Sequence, residues 1–118
     1  MVIVWGRRRV GKTYLLQAFS EDRRCVYYTA TQQSAPIELS AFTDAVRLAV
    51  GGEGLPAGYA FPDWPTALGF VSSAAEDRRL TVILDEFSYL ADSTPGLESI
   101  IQRWWDAHQT WIGRVDGA

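Results

Sequence analysis

The chain has 118 residues, with 11 Lys+Arg against 14 Asp+Glu, a net charge of −3 and an isoelectric point near 5.0. That acidic balance argues against a domain that coats nucleic acid with a general basic field, and 47% hydrophobic with 21% charged residues excludes a disordered polyelectrolyte. The single cysteine, Cys25, excludes an internal disulfide, and no apolar run approaches the roughly 20 residues that span a bilayer.

Val2-Ile3-Val4-Trp5 is a short apolar run of the kind that forms a buried parallel strand. It leads into Gly6-Arg7-Arg8-Arg9-Val10-Gly11-Lys12-Thr13, which fits the pattern G-x-x-x-x-G-K-[ST]. Tyr14 to Phe19 continues as a helix, with Leu15, Ala18 and Phe19 at helical spacing. Cys25 to Thr29 reads as a second strand, β-branched and aromatic, in which Cys25 is a small buried hydrophobe. A polar loop from Thr31 to Pro36 precedes a helix from Ile37 to Val50, with Leu39, Phe42, Val46 and Ala49 on one stripe. Gly51-Gly52-Glu53-Gly54-Leu55-Pro56 stops that helix, and a linker runs on to Pro62. Asp63 is placed to cap a helix from Trp64 to Asp77, with Pro65 in its first turn.

Leu80-Thr81-Val82-Ile83-Leu84-Asp85-Glu86 is an apolar strand closing on two carboxylates. The loop around Asp92 follows, and Pro95-Gly96 precedes a helix from Leu97 to His108 that clusters Ile100, Ile101, Trp104 and Trp105. His108 has no neighbouring Cys or acidic set and reads as a helix-end residue. Residues 1–109 are expected to form one α/β domain, and 110–118 a short tail outside it. The first residues carry no charged leader before a hydrophobic segment, so a cytoplasmic chain is expected.

The phosphate chemistry follows from the loop. Successive backbone N–H groups form a concave anion site, and the helix that follows adds its positive end. Gly6 and Gly11 permit close backbone approach. Ten of the eleven basic residues are arginine, and the sole lysine is Lys12, where a compact ammonium is required against the β- and γ-phosphates. Thr13 would hold Mg²⁺ through its hydroxyl. Gly6, Arg7, Arg8, Arg9, Val10, Gly11, Lys12, Thr13 and Tyr14 thus make the nucleotide-binding set, the arginines either adding to the positive field or forming a solvated loop face. The Leu80–Glu86 segment has the Walker B pattern: Asp85 would hold the metal, directly or through water, and Glu86 would polarise the attacking water, with Lys12 acting on the phosphates. Ligands in open α/β sheets bind at the carboxyl ends of the strands, so both motifs point to one edge.

GRRRVGKTYLLQAF, VYYTATQQSAPIEL and TVILDEFSYLADSTPGLESIIQRWWD together resemble the archaeal-type ATPases, AAA-like P-loop ATPases related to signal-transducing NTPases. The resemblance covers roughly residues 1 to 108, and its more specific parts are the arginine run within the loop and the Asp85–Leu90 segment. It implies a three-layer αβα sandwich with a parallel sheet, ATP and Mg²⁺ as cofactors, and ATP hydrolysis. Many members carry a C-terminal domain similar to a nuclease or DNA-binding module, so a protein or DNA partner would be met through parts absent from this chain. No membrane association is implied.

The resemblance also sets expectations about what differs. A segment that seats the adenine, a strand bearing a polar sensor residue, an arginine finger and a helical lid have no counterpart here, so the chain corresponds to the front part of such a core. The family's sheet order is 5-1-4-3-2, with a strand between the phosphate-loop strand and the Walker B strand. The expectation is that these two strands either leave a gap, with unpaired backbone groups and marginal stability, or close up on one another. Trp104, Trp105 and Trp111 are either surface left without a partner or ordinary core or interface residues. Three functional readings follow: a Mg²⁺-dependent ATPase, a nucleotide-dependent binding switch centred on the segment around Asp92, and a remnant that does not bind. ATP over GTP rests on the resemblance, since no guanine-reading Asn-Lys-x-Asp segment is present.

Overall fold

The computed structural model describes residues 2–6, 24–51, 54–75, 80–108 and 111–115, with side chains described at all of these except 2, 75, 104–108 and 111–115. In chain order the elements are β1 (Val2–Gly6), β2 (Arg24–Thr29), α1 (Ala35–Val50), α2 (Trp64–Ala75), β3 (Leu80–Asp85), α3 (Phe87–Ser93), α4 (Leu97–His108) and β4 (Trp111–Val115). The predicted helix over 14–19 lies outside the described residues, as do residues 76 and 77 of the helix beginning at Trp64.

The four strands form one parallel sheet in the order β2-β3-β1-β4. Of the two arrangements expected for β1 and β3, a gap or closure on one another, the sheet has the second. The two pair directly, from Val2 opposite Thr81 to Gly6 opposite Asp85, so neither is left with a gap. Ile3, Val4 and Trp5 of β1 and all of β3 are buried, and pairing in register satisfies the N–H and C=O groups that each would otherwise bury alone. Residues 111–115, expected in a tail outside the domain, form β4 and pair with the other edge of β1, Val2 opposite Trp111 through Gly6 opposite Val115. Trp111, Ile112 and Val115 are β-prone, Gly113 and Arg114 are not, and the segment is a strand because β1 supplies the ladder.

Side-chain alternation gives the sheet two buried faces. Ile3, Trp5, Val26, Tyr28, Leu80, Val82 and Leu84 share one core with residues of all four described helices. Val4, Thr81, Ile83 and Asp85 occupy the alternate positions and are buried as well. Coverage of both faces is the ordinary condition of a parallel sheet.

The helices follow local rules. α1 begins at Ala35, two residues before the predicted start, because Pro36 is tolerated within a first turn that needs no N–H from it. Leu39, Phe42 and Val46 are buried along its stripe, and Ala49 packs against the core from a partly buried position. Gly51 ends it at φ 83°, its N–H donating to the Arg47 carbonyl. Asp63 caps α2 as expected, its Oδ1 accepting from the Thr66 N–H at 2.8 Å. Trp64, Ala67, Leu68 and Val71 bury one face of α2, and Trp64 meets Phe42 at 5.0 Å between ring centroids. The linker between the two helices is tied down from α1: the Thr43 hydroxyl donates to the Leu39 carbonyl and accepts from the Phe61 N–H, while Arg47 donates to the Leu55, Pro56 and Tyr59 carbonyls. The segment around Asp92, predicted as a loop, lies in α3.

Candidate functional site

Parallel pairing brings the carboxyl ends of β1, β2 and β3 to one edge, where Gly6 stands opposite Asp85 and Asp85 opposite Thr29. The first residue of the phosphate-loop pattern and the first carboxylate of the Walker B pattern are therefore cross-strand neighbours, although 79 positions separate them in sequence. Arg7, Arg8, Arg9, Val10, Gly11, Lys12, Thr13 and Tyr14 lie outside the described residues.

Asp85 is buried, 3% exposed, and its carboxylate has two neutral donors among the described residues. The Tyr27 hydroxyl donates to Oδ2 at 2.8 Å, and the backbone N–H of Glu86 donates to Oδ1 at 3.1 Å. Tyr27 reaches Asp85 diagonally: it sits opposite Ile83, one same-face position before the Thr29–Asp85 pair. Burial, and then the hydrogen bond and negative charge of Asp85, push the Tyr27 phenol up to about 12. The phenol therefore acts as a neutral donor across the physiological range. The Asp85 carbonyl accepts from Ala30 at 3.0 Å, extending the β2–β3 ladder one residue past Thr29 and fixing the start of the β2–α1 loop.

Glu86 turns the chain out of β3 with φ 56° and ψ 45°, and it is the non-glycine residue at positive φ among those described. An L-residue with a Cβ occupies this left-handed region at a cost, and such residues concentrate where the surrounding structure over-determines them. Here α3 holds the turn. Phe87 and Leu90 are buried, Phe87 packs on Trp5 of β1 at 6.0 Å, and the Tyr89 N–H closes onto the Glu86 carbonyl at 3.1 Å. Asp85 is thus an extended, buried, hydrogen-bonded carboxylate, and Glu86 a partly exposed one on a strained turn directly beside it.

A second carboxylate cluster stands where β2 leaves the sheet. Glu38, in the first turn of α1, is fully buried. Its Oε1 accepts from the Tyr28 hydroxyl, the Thr31 N–H and the Thr31 hydroxyl, while Oε2 is buried without a partner among the described residues. Burial, and then the bond to Glu38 and its charge, push the Tyr28 phenol well above its ordinary range. Tyr27, Tyr28, Thr31 and Glu38 were not among the site residues expected from sequence. For Glu38 a signal exists: it stands four and eight residues before Phe42 and Val46, on the apolar stripe of α1. An acidic residue on such a stripe requires a buried partner. Adjacent tyrosines on a strand carry no comparable signal, since alternation alone does not say which one meets a carboxylate.

Cys25 is half-buried and free, with burial pushing its thiol up to about 11, which fits the expected packing role rather than a nucleophile. Among the described residues no three His, Cys, Asp or Glu side chains gather into a metal cage, and no helix is long and apolar enough to cross a membrane.

The chain is similar to an uncharacterized protein of Methanocaldococcus jannaschii, 28% identical over 107 residues, a match that covers 91% of this chain and 21% of the relative. The chain therefore spans about a fifth of that relative's length. No protein-family model and no solved structure matches it.

Proposed function

We propose that this chain binds a nucleoside triphosphate, ATP, with Mg²⁺ at the carboxyl edge of its sheet, as a P-loop domain of the three-layer αβα type. One observation carries the reading: Gly6, the first residue of one motif, stands opposite Asp85, the first carboxylate of the other, at the ends of adjacent parallel strands. Supporting it, the loop pattern supplies backbone N–H donors and the sole lysine, Lys12, for the phosphates. The donor set also suits the metal. Asp85 is a buried carboxylate whose partners among the described residues are a hydroxyl and an N–H, and no described cation pairs with it. A divalent cation would compensate that charge. Magnesium takes one or two protein oxygens, completes its shell with waters and phosphates, and so needs no three-residue cage.

In this reading Thr13 and Asp85 hold the metal, whose chemistry is to neutralise charge building up on the phosphate oxygens. Lys12 binds and orients the β/γ-phosphates. Glu86, partly exposed beside Asp85, orients a water and accepts its proton during hydrolysis. A second reading, a nucleotide-responsive switch without efficient turnover, is favoured by the Glu86 turn, because α3 follows directly and could transmit a change at the site.

Thermal unfolding with and without Mg-ATP, in the parent and in Lys12→Ala, tests the proposal. Ligand at a hundred times its dissociation constant stabilises by about 2.7 kcal/mol. A melting temperature that rises with Mg-ATP in the parent but not in Lys12→Ala supports the site, and equal behaviour of the two refutes it. Steady-state turnover of Glu86→Gln then separates the readings: loss of turnover with retained binding assigns hydrolysis to Glu86, and unchanged turnover removes that role.

A further inference from the structure

We infer that Tyr27 is a positioning residue for metal binding, holding the Asp85 carboxylate in the orientation it presents to a divalent cation at the sheet edge. The inference rests on the proposed nucleotide site and adds to it a residue from β2, a strand that neither motif includes.

The geometry is direct. The Tyr27 hydroxyl donates to Asp85 Oδ2 at 2.8 Å from the neighbouring strand. The opposite oxygen, Oδ1, takes the Glu86 N–H at 3.1 Å. A carboxylate with one oxygen tied sideways to a strand and the other to the backbone of the next residue cannot rotate about its last torsion without breaking one of these bonds. Each oxygen keeps a second lone pair, so the clamp leaves capacity for a cation. Tyr27 is held in turn. Its backbone is in the β2–β3 ladder opposite Ile83, and β2 is extended past Thr29 by the bond from Ala30 to the Asp85 carbonyl. The β2 segment therefore holds Asp85 at two points, through its side chain at residue 27 and through the main chain at residue 30 just past the strand. Hydrogen-bonded partners of metal-ligating carboxylates fix the ligand's orientation, and their loss weakens metal affinity by about 10–100-fold.

A phenol suits this place better than a stronger donor. An arginine or lysine here would neutralise Asp85 and compete with the cation, whereas a neutral hydroxyl orients the carboxylate and leaves it its charge. The length of the phenol also matters, since it must span from the Ile83 row to the Asp85 row on one face of the sheet.

The experiment measures ATP affinity by calorimetry in EDTA and in Mn²⁺, and Mn²⁺ occupancy by electron paramagnetic resonance, in the parent, Tyr27→Phe, Asp85→Asn, the double variant and Lys12→Ala. Tyr27→Phe should leave ATP affinity in EDTA unchanged while reducing the gain conferred by Mn²⁺ by about tenfold. In the Asp85→Asn background it should produce no further loss, because the carboxylate it orients is gone. Tyr27→His, which keeps a planar donor, should lie between parent and Tyr27→Phe and gives the same comparison should the phenylalanine variant not melt cooperatively. An unchanged Mn²⁺ gain in Tyr27→Phe, or an equal loss with and without Asp85, overturns the role of Tyr27 and leaves the nucleotide site standing. A parent that binds ATP no better than Lys12→Ala overturns the site itself, and the role of Tyr27 with it.

Discussion

Replacing Glu86 by glycine should make the protein more stable while removing whatever Glu86 does. Glu86 sits at φ 56° and ψ 45°, and its side chain makes no capping hydrogen bond to α3. A left-handed conformation costs a residue with a Cβ about 1–2 kcal/mol. Glycine avoids that cost and gives back about 0.5–1 kcal/mol through the greater freedom of its unfolded chain. The expected net is a stabilisation of about 0.5–1 kcal/mol, or a rise in melting temperature of roughly 2–4 °C for a domain of this size. Glu86→Ala is the control: it removes the carboxylate, retains the Cβ and keeps the strain, so it should stay within about 0.5 kcal/mol of the parent. Glu86→Asn should fall between, since asparagine tolerates this region. Differential scanning calorimetry of the three variants decides the matter. A glycine variant no more stable than the alanine variant would refute the claim that the turn stores strain. Under the proposed function the two should be equally deficient in turnover, by about 10²–10⁴-fold if Glu86 is the base. Stability would then rise as activity falls, the pattern of a strained functional residue.

Other expectations concern the edges of the site and the packing beneath it. Tyr28→Phe removes one donor from the buried Glu38 carboxylate and should cost about 1–3 kcal/mol in denaturant unfolding; no loss would mean that Thr31 alone suffices for that oxygen. Asp63 has its carboxyl held below the ordinary 3.8 by hydrogen bonding to Thr66, so its stabilising effect is present at neutral pH and fades as pH falls through 3.8 toward the lowered value. Asp63→Asn, which keeps a capping oxygen, should therefore unfold with a shallower acid dependence than the parent, and identical acid profiles would remove the cap from the account. Cys25 is raised from 9.0 to about 11 by burial, so the unfolded chain loses its proton first and stability falls as pH rises from about 9 to 11. Cys25→Ala should flatten that part of the curve, and the parent thiol should react with an alkylating reagent at pH 8 more slowly than free cysteine; matching rates would show that burial does not protect it.

Where sequence and structure agree, the determining forces are local or periodic. β3 is readable because six consecutive residues are buried in a strand covered on both faces, which leaves a continuous apolar run. α1 is readable from its stripe and α2 from Asp63, whose cap is a contact between residues three apart. α4 begins and ends where the pattern predicts, at Leu97 and His108. Where they differ, the determinant is another part of the chain. α3 is seven residues long, too short to stand on propensity, and is held by burying Phe87 and Leu90, with Phe87 against Trp5. β4 contains a glycine and an arginine in five residues, and it is a strand because β1 offers it an edge. The order of strands is likewise invisible to pattern, since β1 and β3 announce that they are buried and parallel but not that they are neighbours.

The two carboxylates that close β3 show how the fold divides a dipeptide into separate roles. Adjacent in sequence, Asp85 and Glu86 differ in every physical respect that matters to a site. Asp85 keeps the extended backbone of the strand, so its side chain stays on a buried sheet face beside β1 and within reach of Tyr27. Glu86 reverses into the left-handed region, so its carboxylate leaves the sheet at the point where α3 begins. A group that is buried, clamped and hydrogen-bonded can hold a ligand in place, because its position is fixed before the ligand arrives. A group that is partly exposed on a turn can meet water and exchange a proton with it. Had both residues continued the strand, alternation would have sent Glu86 to the face occupied by Leu84, into the core shared with α1 and α2, where an unpaired carboxylate is costly. The positive φ at Glu86 therefore has a reason in packing as well as in function: it is what allows a second charge to follow the first at the end of a buried strand.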